Sequence, residues 1–274
     1  MQLEGRTVLL TGASGGIGAA LAQCLAAQGV RLLLTGRDES VLSSLRDGLL
    51  DSGVQAHVCV ADLATHAGRQ SIVEWIRANR WSLSVLINNA GLNDFIDFER
   101  QSPERIEQVI HLNLLAPMLL TRQLLPLLLE QDEALVLNVG STLGSLGYPG
   151  YVTYCASKFG LRGFSEALGR ELAGTGVRVA YVSPRPAATG LNDARVNEMN
   201  AELGNATDAP AWVAEQIVAL ISSDDRQRQL GWPERLFVRL NALFPEMVSR
   251  SIRKQMPTIR RYLDLVHGSR STPT

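Results

Sequence analysis

Residues 8–28, VLLTGASGGIGAALAQCLAAQ, decide the fold. Val8-Leu9-Leu10 is a short apolar run of strand type. Thr11–Gly18 is a glycine-rich turn. Ile17–Gln28 carries helical periodicity, and Gly29 stops it. A strand, a glycine turn and a helix in that order make an anion site. Backbone N–H groups and the helix N-terminus face the turn, and glycine lets a ligand come close. The glycines stand at 12, 16 and 18, which differs from the G-x-G-x-x-G of the standard dinucleotide fingerprint.

Outward from this unit, strand and helix patterns alternate. Arg31–Thr35 reads as a strand, Glu39–Leu50 as a helix, Ala56–Val60 as a strand running into Asp62, and His66–Asn79 as a helix. Val85–Ile87 is a strand that ends in Asn88-Asn89-Ala90-Gly91. Residues 103–130 are helical, with Asn113 inside the apolar stretch HLNLLAP. Ala134–Val139 is a buried strand, Tyr154–Ala173 a helix and Val177–Val182 a strand. Short connections and regular alternation predict an α/β fold, a Rossmann-type doubly wound parallel sheet with helices on both faces. Such sheets bind ligands at the strands' C-terminal ends. Gly12–Gly18, Asp62, Asn88–Gly91, Ser141 and Pro184 all fall there.

Composition narrows the class. The 274 residues are 46% hydrophobic and 19% charged, enough for one core in one domain. The net charge of −1 gives no nucleic-acid signal. Cys24, Cys59 and Cys155 form no CxxC pair, and His57, His66, His111 and His267 have no ligand spacing. A disulfide framework and a metal site are not expected. A strand pattern begins at Thr7, leaving no room for a signal peptide, and no apolar run reaches the roughly 18 residues of a membrane span. The expectation is a cytoplasmic protein, at most peripheral at a membrane.

The chemistry is concentrated in Asn138–Lys158, NVGSTLGSLGYPGYVTYCASK. Ser141 closes a strand, and Tyr154 and Lys158 lie four apart on a helix, so they share a face. A tyrosine of pKa about 10 is a poor proton donor or acceptor at neutral pH, and a fixed cation beside it lowers that pKa. So tuned, Tyr154 can act as a general acid or base. An isolated Tyr-x-x-x-Lys is more often an incidental helix start. Convergence with the other strand ends lifts this one above that reading. The second strand ends Thr35-Gly36-Arg37, without an acid at its tip. An arginine there suits a 2′-phosphate, hence NADP(H) over NAD(H). The alternative is a solvated arginine beside Asp38 and Glu39.

Taken together, Thr11-Gly12-x-x-x-Gly16-x-Gly18, Asp62, Asn88-Asn89-Ala90-Gly91, Asn113, Ser141 and Tyr154-x-x-x-Lys158 resemble the short-chain dehydrogenase/reductase family in order and spacing, over residues 5–190. The resemblance implies an oxidoreductase that interconverts a carbonyl and a secondary alcohol. Its pyrophosphate cradle would be Gly12 to Gly18, including Ser14, Gly15 and Ile17, with Thr11 beside it. Arg37 would meet the 2′-phosphate, Asp62 and Leu63 the adenine, and Asn89, Ala90 and Gly91 the adenosine side. Pro184 and Thr189 would complete the nicotinamide end. Tyr154 would pass a proton to the carbonyl oxygen, and Lys158 would lower its pKa and bind the ribose. Ser141 would polarise the carbonyl, and Asn113 would hold a water leading from Lys158. The resemblance also implies a homodimer or homotetramer. Two alternatives stand beside it: a reductase of 3-oxoacyl-type substrates, and a non-catalytic NADP(H)-binding sensor or scaffold.

Two departures from the family pattern stand out. Ser183-Pro184-Arg185-Pro186 carries an arginine where the family usually has glycine. Arg185 is expected either to reach an anionic group on substrate or cofactor or, preferably, to point to solvent. The chain also continues past residue 225. Residues 1–225 are read as the catalytic domain and 226–274 as a helical extension of it. Residues 226–270 hold ten Lys/Arg against three Asp/Glu, a net +7, whereas the preceding part is −8. Leu236, Phe237, Leu240, Leu243 and Phe244 form one stripe at helical spacing, with Arg235 and Arg239 off that face. Val248, Ile252, Met256, Ile259, Leu263 and Val266 form a second, beside Arg250, Arg253, Arg260 and Arg261. With Pro245 and Pro257 as punctuation, two or three short amphipathic helices are expected. The favoured role is a cap that buries its stripes on the body or on a second subunit. The alternative is contact through residues 233–267 with an anionic membrane or an acyl carrier. Residues 187–207 read as a mobile substrate lid.

Overall fold

The computed structural model describes residues 1–190 and 193–265, so Val266, His267 and Arg270 lie outside the described residues. Seven strands form one sheet: β1 (Thr7–Thr11), β2 (Arg31–Gly36), β3 (Ala56–Val60), β4 (Leu83–Asn88), β5 (Ala134–Val139), β6 (Val177–Ser183) and β7 (Gln227–Gln229). Their order is β3-β2-β1-β4-β5-β6-β7, and every neighbouring pair is parallel. The direction of winding reverses between β1 and β4, the place where an open α/β sheet opens a crevice.

Among the described residues ten α-helices accompany the strands: α1 (Gly16–Ala26), α2 (Glu39–Leu50), α3 (His66–Ala78), α4 (Pro103–Ile110), α5 (Ala116–Leu129), α6 (Val152–Glu171), α7 (Ala194–Glu202), α8 (Pro210–Ser222), α9 (Glu234–Leu243) and α10 (Pro245–Leu265). Side chains alternate across each strand, and this explains the continuous apolar runs. Val8, Leu10, Leu32, Leu34, Val85 and Ile87 pack on one face with α1, α2 and α8. Leu9, Leu33, Leu86 and Val136 pack on the other with α3 and α5. Both faces are therefore apolar, as a parallel sheet covered on both sides requires. Asp38 caps α2 by accepting from Val41 N at 3.1 Å, and Thr65 caps α3 by accepting from Gly68 N at 2.9 Å.

Three features differ from the sequence-based expectations. First, residues 103–129 form a helix long and apolar enough to cross a membrane by length and composition, contrary to the expectation that none exists. Leu120, Leu124 and Leu128 are buried against the sheet, so this is a core helix. It passes through a π-helical turn, His111–Leu115, at Asn113. Second, β7 completes the sheet beside β6, so residues 227–229 belong to the body and the helices that follow start at Glu234. Third, Pro257 lies inside α10 and does not end it. The turn beyond it carries Ile259, Tyr262 and Leu263, which are buried against Met199, and this packing holds the helix together across the missing N–H.

Candidate active site

The C-terminal ends of the strands open into a cleft of about 430 Å³. One end is built mostly of backbone. Gly12 has φ +64, and a Cβ there would lie 2.7 Å from Ala90 Cα. A Cβ at Gly18 would lie 2.1 Å from the Gly12 carbonyl oxygen. Only glycine fits at either place. Gly15 caps α1 without a side-chain bond, so the first N–H groups of the helix are left for a ligand. Ser14, Gly15, Gly16, Ile17, Arg37, Asp62, Leu63, Asn89, Ala90 and Gly91 line this end with them. Asn89 holds the turn in shape by donating through Nδ2 to the carbonyls of Thr11 and Gly12, both at 3.1 Å. Arg37 is exposed, and no ion pair engages it among the described residues. Its acidic neighbour Asp38 is occupied as the cap of α2.

At the other end, Ser141 leaves β5 and meets Tyr154 and Lys158 on α6. Tyr154 and Lys158 are both buried. Lys158 Nζ donates to the Val139 carbonyl at 3.0 Å and stands 5.8 Å from the centre of the Tyr154 ring. Burial pushes the Tyr154 phenol well above its usual range, while a hydrogen bond with Ser141 acts in the opposite sense. Burial also pushes Lys158 down to about 8. The expected net lowering of the tyrosine by the lysine is thus not found. Desolvation penalises the charged form of each group and is the largest cause of both shifts.

Several expected site residues sit elsewhere. Thr11 does not line the cleft. Its hydroxyl donates to the Ile87 carbonyl at 3.1 Å and accepts from Asn89 N at 2.9 Å, pinning β1 to the end of β4. Asn113 is also set back from the cleft wall. Its Oδ1 accepts from Leu92 N at 2.7 Å, and its Nδ2 donates to the Leu92 carbonyl at 2.8 Å and to Ser157 Oγ at 3.0 Å. Its side chain is therefore spent on clamping the 91–93 loop to α6. Asn88 faces away as well, donating to Asn138 Oδ1 at 2.8 Å and Thr121 Oγ1 at 3.1 Å in a buried amide network.

Arg185 meets neither expectation. It lies at the cleft wall and binds protein carboxylates: NH2 donates to Asp208 Oδ1 at 2.7 Å and NH1 to Glu234 Oε2 at 3.3 Å. It ties the segment after β6 to Asp208, just beyond residues 187–207, and to the first turn of α9. Pro184 and Thr189 line the cleft as expected. The expected lid carries α7, whose Val196 packs with Tyr151, Tyr154 and Cys155. Met199 packs under α10, and Glu202 accepts from Tyr262 Oη at 3.1 Å and pairs with Arg261. The substrate end is completed by Leu143, Leu146, Tyr148, Tyr151, Asn200 and Glu234, none of which the sequence reading named. Their signal was weak: the tyrosines stand within the loop before Tyr154, but only the fold turns them inward. Tyr148 Oη donates to Gln255 Oε1 of α10 at 3.0 Å.

Comparison with known proteins agrees with this geometry. The family model for short chain dehydrogenase matches residues 6–200. The 3-oxoacyl-[acyl-carrier-protein] reductase FabG of Escherichia coli (strain K12) is 32% identical over 231 residues, which is 82% of this chain and 93% of that protein. A metagenomic short-chain oxidoreductase solved in complex with NADP is 28% identical, with a TM-score of 0.70 over 84% of this chain and 100% of that one. A short chain dehydrogenase/reductase from Burkholderia phymatum in complex with NAD shares the fold, with a TM-score of 0.81 at 24% identity over 90% of this chain and 96% of that one. Sheet order, strand-end cleft and relatives lead to one assignment: the chain belongs to the short-chain dehydrogenase family and is an oxidoreductase.

Proposed function

We propose that this protein is an NADP(H)-dependent reductase or dehydrogenase that interconverts a carbonyl and a secondary alcohol, with Tyr154 as the general acid or base. The observation that carries the proposal is the meeting of Ser141, Tyr154 and Lys158 at one end of a cleft whose other end is a glycine cradle at a helix N-terminus. The cradle suits a pyrophosphate, Arg37 suits a 2′-phosphate, and Asp62 and Leu63 would border the adenine. Lys158, Pro184 and Thr189 would hold the nicotinamide end. When bound, that cofactor supplies or accepts the hydride at the substrate carbon.

The remaining chemistry belongs to the chain. Tyr154 stays protonated at neutral pH because burial raises its pKa, so in reduction its phenol has a proton to give to the substrate oxygen. Ser141 directs that oxygen by hydrogen bonding. Lys158 brings a positive charge beside the phenol as the proton leaves, when the phenolate most needs it. Asn113 positions α6 against the 91–93 loop and so fixes the direction of Lys158. Tyr148, Tyr151, Leu143 and Leu146 give the substrate end apolar walls, which together with the FabG likeness favours an acyl-type carbonyl, such as a 3-oxoacyl group, over a small polar ketone. Association of identical copies as a homodimer or homotetramer, in the cytoplasm, completes the proposal.

Mixing the purified protein with NADPH and a panel of ketones and 3-oxoacyl thioesters, followed at the nicotinamide absorbance, tests this. The proposal expects consumption of NADPH that depends on a carbonyl and is fastest with the acyl thioesters. Bound NADPH with no turnover on any carbonyl would instead indicate a cofactor-binding sensor.

A further inference from the structure

The two helices after β7 treat their apolar stripes in opposite ways. In α10, Val248, Ile259 and Leu263 are buried. In α9 no residue is buried. Its stripe Leu236, Phe237, Leu240, Leu243 and Phe244 covers one side of the helix, and Glu234, Val238 and Asn241 fall on the opposite side. It is this opposite, more polar side that meets the body. Glu234 accepts from Arg185, and Asn241 Nδ2 donates to the Ser145 carbonyl at 3.1 Å. The apolar side is left to solvent: Leu243 is 71% exposed, Phe244 58%, and Met247 at the start of α10 50%, while Trp232 just ahead of α9 is 69% exposed. Leu236 and Phe237 are exposed as well.

Cations border this face. Arg235, Arg239, Arg250 and Lys254 are exposed, and none makes an ion pair among the described residues. A helix with protruding Trp, Phe, Leu and Met side chains and flanking arginines matches an interfacial helix lying in the headgroup region of an anionic bilayer.

We propose that α9, with Trp232 and Met247 at its ends, docks the protein on an anionic phospholipid surface, the apolar side chains entering the interface and the arginines pairing with headgroup phosphates. The charge pattern selects this occupant. A second copy packed symmetrically on the same patch would bring Arg235 and Arg239 against their own counterparts. An acidic carrier protein would use the arginines but leave the six exposed large apolar side chains without a role. The docked face is turned away from the cleft, which α9 meets through its other side, where Glu234 lines the cleft and Asn241 holds the loop after Ser141. The inference goes beyond the proposed reaction, and its test does not depend on turnover.

The test is co-sedimentation of the full-length protein with phosphatidylglycerol vesicles, with phosphatidylcholine vesicles, and with a soluble acidic acyl carrier protein as competitor. The expected result is binding to phosphatidylglycerol vesicles only, weakened by high salt and not displaced by the carrier. The double variant Leu243→Ser/Phe244→Ser should weaken it by about tenfold or more, and Arg235→Glu/Arg239→Glu by about tenfold or more. Both variants alter exposed side chains, so NADPH binding and far-ultraviolet circular dichroism should match wild type and exclude misfolding. Absence of vesicle binding, vesicle binding indifferent to both variants, binding to the carrier alone, or a dimer lost with Leu243→Ser/Phe244→Ser and no lipid binding would each overturn the proposal.

Discussion

The two ends of the cleft are made by different means. The glycine cradle comes from one continuous stretch, β1 through α1, shaped by glycine backbone and braced by Asn89, with the ends of β2, β3 and β4 beside it. The substrate end is assembled from α6, α7, α9 and α10 and from Arg185, brought together over long sequence separations. The first is rigid by local geometry, and the second depends on packing between segments. The difference teaches that cofactor and substrate affinity should respond to separate sets of mutations, with Tyr154 at the junction touching chemistry alone.

The strongest separation is expected at that junction. Tyr154→Phe removes the proton donor and should lower turnover by about 10²–10⁴-fold, while calorimetry shows unchanged NADPH affinity. A variant that keeps most of its turnover would mean that another acid serves the substrate oxygen. At the cradle end, Arg37→Ala should weaken NADPH binding by about 10–100-fold, the worth of a charged hydrogen bond, and leave NADH unchanged. Equal loss for both cofactors would show that Arg37 does not read a 2′-phosphate. At the substrate end, Arg185→Ala strands the buried Asp208 carboxylate at a cost of about 1–3 kcal/mol. Substrate KM should rise with NADPH affinity kept, and the reverse pattern would place Arg185 with the cofactor.

The smallest effect is in pH. Burial sets Lys158 at about 8, so kcat/KM for carbonyl reduction should be halved near pH 8 and fall further above it, as the ammonium is lost while Tyr154 stays protonated. A profile flat through this range would remove Lys158 from the mechanism. The same group affects stability. Its pKa is depressed on folding from an ordinary value of about 10.5, so the folded state binds this proton less readily than the unfolded one. Its contribution to stability therefore rises as pH climbs from about 8 to about 10.5 and is level below that window.

What the sequence revealed follows the same division. The alternating sheet, the glycine turn and the Ser141–Tyr154–Lys158 set depend on spacing within single elements, and periodicity exposes them. Thr11 and Asn113 were placed at the site by the family resemblance, and the buried Asn113 read equally as a network residue; their hydrogen bonds to Ile87, Asn89, Leu92 and Ser157 are those of braces. Arg185 stood out as a cation in place of glycine, but its partners Asp208 and Glu234 are 23 and 49 positions away, a pairing that no local pattern encodes. The stripes of α9 and α10 were equally plain in the sequence. Hydrophobic spacing tells which side of a helix is apolar and not what covers it: within the single chain the body covers residues of the α10 stripe and leaves the α9 stripe uncovered.

The most direct test of the account is a calorimetric titration of the purified protein with NADPH and with NADH. The account predicts saturable binding of both, with NADPH the tighter, because the glycine cradle serves either pyrophosphate and Arg37 adds a phosphate contact. No binding of either cofactor would contradict the reading of the cleft and of the reaction built on it.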